Sequence, residues 1–141
     1  FYTDFHTRAL EVSRKRSVHS VLAESEALGV DHAHVGGYLA VNWQFSDPVT
    51  EAIVCHHDPS RAQDFQKMAS VAHVANAICN HLGHGSSGEV VRANEDDPVL
   101  YRALLKLGVG PNVFEQLIEM GGERLKDADA FLGVLTGQAG D

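Results

Sequence analysis

Apolar residues recur at spacings of three and four along nearly the whole chain and nowhere alternate in the period-two register of a half-buried strand. The pattern predicts an all-α protein, a multi-helix bundle of about six or seven helices with no strands. Phe5, Ala9 and Val12 mark a first short helix over residues 3–14. Ser17 is placed to cap a second, with Val18, Val21, Leu22 and Leu28 on or near one face and Gly29 in the stop position. Asp31 caps a third helix over 32–44, whose apolar stripe reads Val35, Leu39, Ala40 and Trp43, with Gly36 on the same side. Each of Gly36 and Gly37 costs a helix about 1 kcal/mol relative to Ala, tolerable where a second helix must come close.

Asp47-Pro48 is a start signal, a capping side chain followed by Pro at the first helical position. The fourth helix is predicted from Pro48 to about His57, with Val49, Ala52, Ile53 and Cys55 or His56 inward, and Asp58-Pro59 ends it. Residues 61–82 hold the longest apolar repeat, including Phe65, Met68, Val74, Ile78 and Leu82, and predict a central helix covered on more than one side. Residues 83–94 read as a Gly- and Ser-rich loop. Two further helices are predicted over 98–107 and 111–135, separated by Gly108 and Gly110-Pro111, with Gly121-Gly122 as a bend in the last.

Composition narrows the function classes. With 141 residues, 44% hydrophobic and 21% charged, the chain has the make-up of a soluble globular domain. No apolar run approaches the roughly 20 residues that span a bilayer, and no signal-peptide pattern opens the chain. The formal charge of −8 argues against a nucleic-acid partner, which selects a basic surface. The short basic run Arg14-Lys15-Arg16 reads as a solvated helix end. Cys55 and Cys79, without CxxC spacing, fit a reducing, cytoplasmic setting better than a disulfide scaffold.

Four of the nine histidines fall in residues 31–59, at positions 32, 34, 56 and 57. A helix of about 13 residues and a tight turn would return the fourth helix beside the third, setting His32 and the His56-His57 pair at one end of the bundle. Imidazoles grouped there suit a divalent transition metal, with carboxylates or waters completing the shell. His6, His19, His34 and His84 read as solvent-facing or core-satisfied, and His73 and His81 as helix residues without a ligand role.

The string from Glu24 through Leu28-Gly29-Val30-Asp31-His32-Ala33-His34-Val35-Gly36-Gly37, then Trp43, then Pro48-Val49-Thr50-Glu51-Ala52-Ile53 and His56-His57-Asp58-Pro59, resembles the HDOD domain. Residues 71–76 (VAHVAN) and Leu107-Gly108-Val109 resemble later parts of the same domain. The resemblance, to its C-terminal two-thirds, covers essentially the whole of residues 1–141 as a single HDOD-like domain lacking its N-terminal helices. HDOD domains are bacterial signalling modules related to the HD metal-dependent phosphohydrolases and HD-GYP phosphodiesterases. HD enzymes carry an early His, a His-Asp dipeptide, a further His, a His-His region and a late Asp. The resemblance therefore implies metal ligands at His32, His56 and His57, Asn76 at the usual Asp position, and an early His and His-Asp pair upstream of Phe1.

With this ligand set the expected function is a non-catalytic signal-transduction module acting through protein–protein contacts. The alternatives are an HD-type phosphohydrolase or cyclic-dinucleotide phosphodiesterase with a degenerate site, and a helical bundle whose histidines are only structural. No catalytic residue and no cofactor is expected beyond a weakly held divalent metal. Expected partners are a signalling protein and a second copy, or a companion segment that completes the core, but neither nucleic acid nor a membrane.

Overall fold

The computed structural model describes the backbone of residues 2–84, 91 and 96–136, with side chains over 7–84, 91 and 96–128. Among the described residues, seven α-helices follow one another: α1 (Tyr2–Arg16), α2 (Ser20–Leu28), α3 (His32–Asn42), α4 (Asp47–Cys55), α5 (Gln66–His81), α6 (Pro98–Leu107) and α7 (Phe114–Thr136). Short 3-10 turns at Pro59–Arg61 and Pro111–Val113 precede α5 and α7. The described residues contain no strand and no helix long and apolar enough to cross a membrane. Most of the predicted 83–94 loop lies outside the described residues.

Local chemistry sets most helix ends where the sequence places them. The Asp31 carboxylate accepts the His34 backbone N–H at 2.9 Å, and Asp97 accepts those of Val99 and Leu100 at 2.8 and 3.3 Å. Gly29 and Gly108 close α2 and α6 at φ of 74° and 81°, a left-handed backbone that a Cβ would strain. Ser17 does not cap α2. It sits at φ 51° in the preceding turn, and the helix begins at Ser20, with His19 at the N-cap. That turn is tied by the Ser13 hydroxyl, which donates to the Val18 carbonyl at 2.7 Å. Asp47 likewise lies inside α4, whose N-cap is Ser46. Arg14, Lys15 and Arg16 form the exposed last turn of α1, where Arg16 pairs with Glu26 of α2.

Helix α1 packs on α2, α3 on α4, and α4, α6 and α7 all meet α5, the central helix. The main apolar cluster joins Val74 and Ala77 of α5, Leu100, Ala103 and Leu104 of α6, and Phe114 of α7. A smaller cluster of Cys55, Ala62 and Ala69 fixes the end of α4 to α5. Between them, Glu51 of α4 accepts the backbone N–H groups of Gln63, Asp64 and Phe65 at 2.7, 3.2 and 2.5 Å, just ahead of α5. These bonds hold the Glu51 carboxyl below its usual pKa. Helix α7 continues through Gly121 and Gly122. A Cβ on Gly121 would stand 2.8 Å from Ile78 Cγ2, so this glycine serves the close approach of α5.

Helix α3 corrects the predicted stripe. Its buried face is Ala33, Gly37 and Ala40, while Val35, Leu39 and Trp43 are exposed by 45%, 39% and 65%. A Cβ on Gly36 would lie 2.8 Å from Ile53 Cγ2, and one on Gly37 only 2.3 Å from Val54 Cγ2. The smallest side of α3 faces α4, which forces its larger apolar residues outward. Gly37→Ala is therefore expected to destabilise the protein by about 1–2 kcal/mol, because overpacking of about 1–3 kcal/mol outweighs the gain in helix propensity. Adding Val54→Ala should recover part of that loss in urea unfolding. A Gly37→Ala protein more stable than the parent would show that the two helices part freely.

Candidate metal centre

The four-residue connection 43–46 folds α4 back along α3, so the start of one lies beside the end of the other. His32 opens α3, and His56 and His57 occupy the turn that closes α4. One coordinating atom from each of the three lies within 4.8 Å of the other two. His32 Nε2 is 3.4 Å from His56 Nε2 and 2.8 Å from His57 Nε2. The three rings stack in tilted and edge-on pairs, with centroids 4.1 to 5.3 Å apart.

The hydrogen bonds on the far side of two rings decide what the near side offers. His32 Nδ1–H donates to Glu24 Oε2 at 2.6 Å, and the same oxygen accepts the His32 backbone N–H at 2.8 Å. His56 Nδ1–H donates to the Ile53 carbonyl at 2.7 Å. In the neutral rings both Nε2 atoms then carry lone pairs that face each other. A carboxylate behind a ligating imidazole is the usual outer-shell arrangement of metal-bound histidine. Two nitrogens on one tetrahedral ion with bonds near 2.05 Å stand about 3.3 Å apart, so the His32–His56 spacing already suits one. The closer His57 ring instead donates to His32 Nε2 and must withdraw by about half an ångström and change tautomer to join the shell. The donor set fits one ion. It contains no carboxylate ligand.

Two residues of this end were not assigned roles from sequence. Glu24, which opens the HDOD-like string, reaches the site because α2 packs beside α3. His73, on α5, is 8% exposed, and its Nδ1–H donates to the His56 carbonyl at 2.7 Å, bracing the turn that carries the pair. Its Nε2 is buried and has no hydrogen-bond partner among the described residues. Asn76 lies half-buried one turn further along α5. His34 is exposed and donates from Nδ1 to Asp31 at 2.8 Å, and His81 lies edge-on to Phe114. The side chain of His6 is outside the described residues.

Burial lowers the pKa of His56, despite its bond to Ile53, and of His73, despite its bond to the His56 carbonyl. Both are held in the neutral form, the form that binds metal. Burial would raise the Asp31 carboxyl, but the hydrogen bonds from His34 and Ser25 outweigh it and leave the group below its usual value. Histidines depressed in the folded state bind fewer protons than in the unfolded chain. Their contribution to stability is complete above about pH 6.5 and is lost as pH falls from there through the folded values. Asp31 acts in a lower window, its contribution present above about pH 3.9 and lost below. Urea midpoints in chelator are expected to fall between about pH 7.5 and about 5.5, with a limiting slope near 1.4 kcal/mol per pH unit for each such histidine. A flat midpoint over this range would contradict the neutral assignment.

Residues 1–59 match the family model of the HDOD domain. The HDOD match takes in α1–α4 with His32, His56 and His57. The segments 71–76 and 107–109, read from sequence as later HDOD parts, lie beyond it. No curated protein and no solved structure matches the chain.

Proposed function

We propose that the chain is a non-catalytic, cytoplasmic signal-transduction module of HDOD type that works through protein contacts. The carrying observation is the donor set at the α3–α4 end: three imidazoles and no carboxylate within the ligand group. Hydrolysis between two metals needs negative charge to hold both ions and a base to prepare water. Glu24 is engaged behind His32, and Asn76, at the position where the family resemblance puts an Asp, is neutral. A single ion held by His32, His56 and His57 would supply a Lewis acid. The protein's own residues contribute orientation: Glu24 and the Ile53 carbonyl fix two rings, and His73 braces the turn.

The test is a phosphodiesterase assay with a generic aryl phosphodiester in the presence of manganese, iron or zinc. Parent and His56→Ala proteins are both expected to give the protein-free rate. Metal-dependent turnover that disappears in His56→Ala would replace this reading with the degenerate-hydrolase alternative.

A further inference from the structure

Helix α3 carries large apolar residues over most of its outward side, interrupted by His32, His34 and Asn42. Among the described residues of the helix, the buried ones are the small Ala33, Gly37 and Ala40. Outward stand Val35, Tyr38, Leu39 and Val41 at 45%, 70%, 39% and 64% exposure, continued past the helix end by Trp43 at 65% and Phe45 at 47%. Trp43 and Phe45 lie ring against ring, with centroids 6.2 Å apart, so the patch ends in an aromatic ledge. Scattered exposed apolar residues are ordinary, but a contiguous patch of large ones marks an interface.

We propose that this α3 face is the contact surface of a homodimer, packed against α3 of a second copy. The inference rests on the regulatory reading above, for which it names the partner. Two observations select a second copy. The exposed area of these six side chains is on the order of 700 Å², close to the roughly 800 Å² that each partner contributes to a standard stable interface. The face also carries no fixed charge, since residues 32–46 contain no Asp, Glu, Lys or Arg. A partner chosen by charge would find nothing to read there. Two copies of a chain with formal charge −8 can meet on this surface without setting like charges opposite one another.

Trp43 is the one tryptophan of the chain and reports on this face directly. Sedimentation equilibrium and fluorescence are to be measured together from about 1 to about 100 µM, the range of a moderate dimer. The expected result is twice the chain mass at the upper end, with Trp43 emission moving to shorter wavelength as the dimer forms. Val41→Glu and, separately, Tyr38→Glu should remain monomeric with long-wavelength emission and unchanged far-ultraviolet circular dichroism. A parent protein that stays monomeric with solvent-exposed Trp43 emission overturns the proposal. So does a dimer whose Trp43 emission ignores concentration and survives Val41→Glu, which would place the contact on another face. Neither readout depends on turnover, so this proposal and the non-catalytic one fail separately.

Discussion

Phe114→Ala is expected to lower folding stability by about 3–5 kcal/mol, the usual result of emptying a large aromatic site in a core. The ring is 2% exposed and sits where α5, α6 and α7 meet, against a cluster that includes Val74, Leu100 and Leu104. Deleting it removes the first anchor of α7 as well as the apolar area. Thermal unfolding followed by circular dichroism should show Tm falling by about 10 °C or more. A fall of under about 2 °C would mean that the three helices do not unfold as one cooperative unit.

Removing one imidazole of the triad should have the second large effect, on metal rather than on folding. The parent is expected to take up one equivalent of zinc, and His32→Ala to bind it about 100-fold more weakly, close to 3 kcal/mol. Glu24→Gln keeps every ligand but replaces the carboxylate behind His32 with a neutral amide, and should weaken binding by about 10- to 100-fold. Competition against a chelating dye measures both. Equal affinity in the parent and His32→Ala would mean that the three rings are only a packed cluster.

The parts of the fold visible in the sequence are those set by local chemistry. Asp31, Gly29 and Gly108 act on backbone groups within a few residues, and α6 forms over the residues that its signals enclose. The meeting of His32 with His56 and His57 was legible because one helix length and one tight turn determine it. The orientation of α3 was not. The large apolar residues of α3 suggested the wrong inward side, and here size decided: Ala33, Gly37 and Ala40 admit α4 where Val35 and Leu39 would hold it off. Glu24 and His73 were hidden for a related reason. His73 acts across a contact between helices separated by residues 56–65, whereas Glu24 lies just across the three-residue turn from α2 to α3, with no local feature to show that it faces His32.

Glu51 has a consequence for what this end of the protein can hold. Anionic ligands, phosphates above all, are commonly cradled by free backbone N–H groups at the mouth of a helix. The N–H groups leading into α5 are already gathered by a carboxylate from the neighbouring helix. A phosphate approaching there would meet a resident anion that already holds the N–H groups of Gln63, Asp64 and Phe65. The fold thus supplies its own counter-ion just ahead of its central helix.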